Sequence, residues 1–167
     1  AVKNGAPVIG VFDSAGAVIY DGAAALAAYG RFMKCVSDAS GIIPQIAIID
    51  GVCGGSSAVV ASMFDLTITV KDTSKLYVNS PFVIGKEAGS ADFAAQNGLS
   101  AYNAKDEAEA FAYARKLVAL LPANNASGAF CESGDDMNRA VTIDAESYKA
   151  DELVAALSDN GAFARIY

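Results

Sequence analysis

The chain has 167 residues, of which 53% are hydrophobic and 19% charged, a composition that excludes disorder and is long enough for one domain with a real core. Its formal net charge of −7 excludes a surface of clustered Lys and Arg for phosphate backbones, so nucleic acid is not an expected partner. No apolar run reaches the roughly 18 residues that span a bilayer, and the N-terminus carries no signal-peptide core.

In chain order, "PVIGVFD" (7–13) predicts a buried strand closed by the turn Asp13-Ser14-Ala15-Gly16. Residues 22 to 38 place Leu26, Tyr29, Met33 and Val36 at helical spacing, with Gly30 a mild interruption. "QIAIID" (45–50), after Pro44, predicts a second strand, and a Gly-rich junction follows it. "LTITV" (66–70) and "KLYVN" (75–79) read as two further strands around Lys71-Asp72-Thr73-Ser74. Asn103, with Asp106 three residues on, reads as the cap of a helix whose face is Phe111, Ala114, Val118 and Leu121, ended by Pro122. A last helix is expected from Asp151 to Asp159, stopping at Asn160-Gly161. Strands alternating with helices predict an α/β layered domain with a largely parallel sheet.

The three cysteines, Cys35, Cys53 and Cys131, show no CxxC spacing. They fit reduced thiols in a cytoplasmic chain better than disulfides or a zinc site. The chain contains no histidine, which removes Ser-His and Cys-His nucleophilic pairs and His-containing metal sites within it. Asp106, Glu107 and Glu109 sit at a predicted helix start, and Asp135-Asp136 in a polar loop. Both groups read as solvated charge rather than as a metal or acid–base site.

What remains is backbone chemistry. In "IAIIDGVCGGSSAVVASMFD" the strand ends near Asp50 and a helix starts near Gly55. Glycine there permits positive φ and close approach of a ligand to the backbone. The first N–H groups of a helix lack internal partners and carry partial positive charge, so two of them aimed at one point make an oxyanion hole. A plain tight turn is the competing reading of the same residues.

The stretches "NGAPVIGVFDSAGAVIYDG", "SGIIPQIAIIDGVCGGSSAVV" and "VKDTSKLYVNSP" resemble the N-terminal domain of biotin-dependent acyl-CoA carboxyltransferases. That family comprises the carboxyltransferase β subunits and related decarboxylases. Weaker similarity continues through "DEAEAFAYARKLVALLPANN" and "ADELVAALSDNGAFARIY". The resemblance implies a ClpP/crotonase-like α/β fold, a spiral of ββα units, as a single domain over residues 1–167. It implies truncation at the N-terminus and absence of the family's C-terminal domain.

It also implies carboxyl transfer between carboxybiotin and an acyl-CoA, with backbone N–H groups holding the thioester enolate and the biotin ureido oxygen. Biotin itself can take the proton, which agrees with the missing histidine. The family's oxyanion Gly-Gly pair falls on Gly55 and Ser56, with Gly54 and Gly55 as the alternative register. On these residues Gly55→Val is expected to abolish turnover with the fold largely intact. The family's Ser-Gly-Gly-Ala-Arg loop reads Ser14-Ala15-Gly16-Ala17-Val18 here, so Ala15, Gly16, Ala17 and Tyr20 are the substrate-binding candidates. Its arginine is Val18, its following glutamine Tyr20 and its glutamate Asp21. The implied cofactor is biotin on a carrier protein and the substrate a coenzyme A thioester, with no metal. The implied partners are a biotin carboxyl carrier protein and a homologous carboxyltransferase domain, or the missing N-terminal segment, on another chain, in an oligomer. A hydratase-like enzyme of the same fold would need Asp21 or Asp50 near the turn, with Asp50 expected to cap it.

Overall fold

Ile46, Ala47, Ile48 and Ile49 have 0% exposure, which requires a strand covered on both faces. They form the middle of β2 (Gln45–Gly54), the strand around which the first of two units is organised. The computed structural model describes residues 1–128, 134–136, 138–143 and 146–166. The units are Ala1–Gly128 with Ile166–Tyr167, and Ala129–Arg165.

In the first unit β1 (Val8–Ser14), β2, β3 (Leu66–Val70) and β5 (Tyr102–Ala104) lie side by side in the order β1-β2-β3-β5. All four strand–strand pairings are parallel. β4 (Lys75–Tyr77) pairs with residues 52–54 of β2, beyond the segment paired with β3. The segments 66–70 and 75–77 therefore do not form a hairpin; each binds a different stretch of β2. This shared edge extends β2 four residues past its expected end at Asp50.

Five helices dress the sheet: α1 (Gly22–Ala39), α2 (Ser56–Ser62), α3 (Pro81–Ile84), α4 (Ala91–Gln96) and α5 (Glu107–Leu120). Side-chain alternation sends Ala47 and Ile49 to one face. There they pack with Phe12 of β1, Val36 of α1, Ala58, Val60 and Ala61 of α2, and Phe64 just past it. Phe12 and Phe64 meet edge to face at 5.4 Å, the arrangement the ring quadrupoles favour. Ile46 and Ile48 point to the opposite face, where α5 packs on β2 and β3 and buries Ala110, Tyr113, Ala114 and Leu117. Ile48→Ala removes a fully buried branched side chain with no room for collapse, and is expected to cost about 2–5 kcal/mol in chemical denaturation.

Several expectations need correction. On α1, Val36 is buried and Tyr29 and Met33 pack against the core, but Leu26 is 72% exposed. The buried face of α5 is turned from the expected one, and Phe111 is 40% exposed. The cap of α5 is Asp106, which accepts the Glu109 N–H at 2.8 Å, while Glu109 accepts the Lys105 N–H at 2.7 Å. Asp106 and Glu109 thus tie the start of the helix with a capping-box-like pair of bonds, the return one going to the residue before the N-cap, rather than standing as solvated charge. Asn103 instead lies in β5, donating to Asp92 and accepting from Thr69.

In the second unit α6 (Ala150–Leu157) is the one α-helix among the described residues. Asp135, expected as solvated charge, accepts the Asn160 N–H at 3.0 Å and pairs with Arg139 at 2.8 Å. The Asn160 N–H first, and Arg139 with it, hold this carboxylate below its usual range.

Of the thiols, Cys35 is exposed and Cys53 buried; Cys131 lies outside the described residues. Burial pushes the Cys53 thiol up to about 11, which keeps it protonated and unreactive near neutrality. Brief alkylation of the native protein at pH 8, read by peptide mass mapping, is expected to modify Cys35 and spare Cys53 until denaturant is added.

Candidate active site

The C-terminal ends of β1 and β2 shape the candidate site. The β1–β2 register shifts between Phe12 and Ser14, a bulge that re-aims the chain leaving β1. At the bulge Asp13 accepts the Val52 N–H at 3.0 Å. Gly51, at φ 137°, lies so close to the Asp13 carboxylate that no Cβ fits between them. Asp13 rather than Asp50 therefore captures this part of the strand, and Asp50 Oδ1 is buried without a hydrogen-bond partner among the described residues.

The loop after β1 lies backbone to backbone on the Gly-rich junction. A Cβ on Gly16, whose φ is 110°, would sit 2.9 Å from the Gly54 carbonyl oxygen. One on Gly54 would sit 2.9 Å from the Tyr77 ring and 3.0 Å from the Ala15 carbonyl oxygen. Both glycines are thus demanded by close approach. Gly55, at φ 55° and ψ −126°, is the N-cap of α2 and offers no side chain to its first turn.

The Gly55 N–H donates to the Tyr77 carbonyl at 3.0 Å. That corrects the expectation of a bare donor at position 55: β4 already occupies it. The next N–H groups, of Ser56 and Ser57, lie in the first turn of α2, where no carbonyl four residues back is in helical position. The junction therefore has donors available, beginning one residue past Gly55.

Three hydroxyls hold this arrangement together, and the sequence reading missed them. Tyr29 Oη and Ser57 Oγ are 2.8 Å apart, and Ser57 donates to Ser14 Oγ at 3.1 Å. Ser14 Oγ also accepts the Gly16 N–H at 3.3 Å. Ser57 is 3% exposed. Helical spacing had marked Tyr29 only as packing, and nothing local connects residues 14, 29 and 57. Of the expected site residues, Ala15, Gly16, Gly54, Gly55 and Ser56 come together, with Ala17 on the same loop. Tyr20 does not join them: it sits on a single helical turn, Ile19–Asp21, with its side chain 99% exposed.

Residues 1–166 match the carboxyl transferase domain. The chain belongs to the carboxyl transferase family. It is 32% identical to the propionyl-CoA carboxylase beta chain of Saccharopolyspora erythraea, covering 99% of this chain and 35% of that one. It is 33% identical to the methylmalonyl-CoA decarboxylase alpha subunit of Veillonella parvula, over 98% of this chain and 36% of the relative. Among solved structures it superimposes on transcarboxylase 12S, crystallised with methylmalonyl-coenzyme A and methylmalonic acid, with a TM-score of 0.88 at 29% identity. That match covers 99% of this chain and 36% of the other. The fold is accordingly the crotonase-like α/β fold of carboxyltransferases, and the carboxyl transferase chain described here spans about a third of the length of these relatives. No helix among the described residues is long and apolar enough to cross a membrane.

Proposed function

We propose that the chain supplies one side of an acyl-CoA carboxyl-transfer site, in which the first turn of α2 holds an oxygen that becomes negative during the reaction. The observation that carries this reading is the junction itself: a glycine N-cap, Gly55, followed by the first-turn N–H groups of Ser56 and Ser57. The Gly16 loop presses on it backbone to backbone, a Cβ on Gly16 falling 2.9 Å from the Gly54 carbonyl oxygen.

Removing a proton or carboxylate next to a thioester places charge on the thioester oxygen. Preorganised backbone donors stabilise that charge without reorganising, worth about 2.7–4 kcal/mol per donor in measured cases. The Ser56 N–H is the foremost candidate, with Ser57 beside it. The missing Cβ at Gly55, where the nearest atom would be the Ala15 carbonyl oxygen at 4.0 Å, leaves a carbonyl group room to reach the backbone, while Gly16 and Gly54 let the two loops close on each other. Ser56, where the family has its second glycine, keeps the N–H and adds a side chain at the rim.

The same donors fit a second carbonyl-type acceptor, the ureido oxygen of biotin; biotin, when bound, would carry the carboxyl group being moved on a ureido nitrogen. The residues described here form one side of such a site, and the resemblance implies further groups to complete it. We infer a homologous carboxyltransferase domain and a biotin carboxyl carrier protein within an oligomer. Carboxylation and decarboxylation pass through the same enolate-like charge, so the site serves either direction. The hydratase-like alternative finds no support at Asp21, which is exposed on a single helical turn.

The test is exchange of labelled carboxyl between methylmalonyl-CoA and free biotin, catalysed by the protein in its native assembly. Exchange that requires both compounds supports the reading. Turnover of the acyl-CoA at an unchanged rate without biotin would overturn it.

A further inference from the structure

We propose that the Ser14 hydroxyl is a hydrogen-bond donor to a carbonyl oxygen of the bound reactants, presented by a chain of hydroxyls that starts at Tyr29. This rests on the carboxyl-transfer reading above and adds a side-chain donor to its backbone ones.

The inference follows from counting donors and acceptors. A serine hydroxyl has one proton and two lone pairs. Ser14 Oγ accepts the Gly16 N–H at 3.3 Å and the Ser57 hydroxyl at 3.1 Å, so both lone pairs are taken. Its proton has no acceptor among the described residues. Ser57 spends its only proton on Ser14, so the 2.8 Å contact with Tyr29 is one in which the phenol donates. The chain thus runs one way, Tyr29 to Ser57 to Ser14, and each donation polarises the next hydroxyl, making the last proton a better donor.

Its location fits this use. Ser14 closes β1 opposite Cys53, at the base of the loop that touches Gly54. It is only half-buried, whereas Ser57 behind it is closed off from solvent. A buried relay ending in an accessible unspent donor at a glycine-lined edge suits a carbonyl oxygen, which accepts and cannot donate. Tyr29 and Ser57 are positioning residues here, since they act through Ser14.

Two carbonyls are available, the acyl thioester and the ureido group of biotin, and isotope-edited infrared spectroscopy separates them. The full chain is titrated with [1-13C]propionyl-CoA in one arm and with ureido-13C biotin in the other, and binding is measured alongside. In one arm the labelled carbonyl band of the wild type is expected below its frequency in water. Ser14→Ala should raise it and weaken binding about three- to tenfold. Tyr29→Phe should raise it by less, because the ring stays and only polarisation is lost. Ser14→Thr, which restores a hydroxyl, should bring the band back toward wild type, which a merely structural role would not do. Binding with the same band in wild type and Ser14→Ala, in both arms, overturns the inference while leaving the carboxyl-transfer reading standing. Failure of the wild type to bind either compound overturns both.

Discussion

Ser56→Pro is expected to lower carboxyl transfer by about 100- to 1,000-fold, the usual loss for one oxyanion donor, with little change in thermal stability. Proline removes the N–H at position 56 and nothing else that the backbone needs. Position 56 is the first residue of α2, where proline's fixed φ suits a helix and its missing N–H has no intrahelical partner to lose. The preceding residue would normally resist proline through its Cβ. Gly55 has none, and at φ 55° and ψ −126° it occupies the mirror image of the extended conformation that proline prefers before it. Rates measured in the native assembly, beside thermal melts, decide the matter. Wild-type turnover in this variant would mean that α2 does not receive the oxygen.

The earlier expectation for Gly55→Val is less clean in this fold. A β-branched residue at positive φ is strained, and the Gly55 N–H is part of the β4 pairing. Valine there would damage sheet and site together, so a dead variant would not separate a turn from a donor. Moving the test one residue along does separate them.

Gly16→Val is expected to destabilise the protein by about 2–5 kcal/mol, adding backbone strain to overpacking. Glycine is required twice over at this position. Its φ of 110° excludes ordinary side chains, and even the first carbon would meet the Gly54 carbonyl oxygen at 2.9 Å. That neighbour is backbone of β2, held by its pairing with Tyr77 of β4. Gly30→Ala is the contrasting change. Gly30 lies inside α1 with open space around its missing Cβ, so alanine should stabilise by about 0.5–1 kcal/mol. Chemical denaturation of the two variants and wild type measures both signs at once. A neutral Gly16→Val would mean that the two loops do not touch as described.

Much of the fold was legible because the signals are local. The apolar runs at 7–13, 45–50 and 66–70 are short, bounded by turn residues and rich in β-branched side chains, and each became a strand. Gly22–Ala39 announced itself by helical periodicity. What local signals could not show was who pairs with whom. The extension of β2 to Gly54 exists only because β4 binds there, and β4 is three residues long. The same pairing consumes the Gly55 N–H and shifts the available donors to Ser56 and Ser57. The burial of Tyr113 rather than Phe111 on α5 is a tertiary choice: Tyr113 stacks on Tyr102 with centroids 3.9 Å apart, a partner 11 residues away in another element. The Tyr29–Ser57–Ser14 hydroxyls come from three elements, and no spacing rule links them. The site was therefore legible as a place, through its glycines, but its donors and their supports were set by contacts between distant residues.

The most direct measurement of the central claim is the amide proton shift of Ser56 and Ser57 in the 15N-labelled chain as propionyl-CoA is added. The account expects both amides, and Ser56 most, to move downfield with saturation, while the Gly55 amide, held by the Tyr77 carbonyl, stays near its starting position. Saturable binding that leaves Ser56 and Ser57 unmoved would contradict it, and would make the glycine junction a turn and no more.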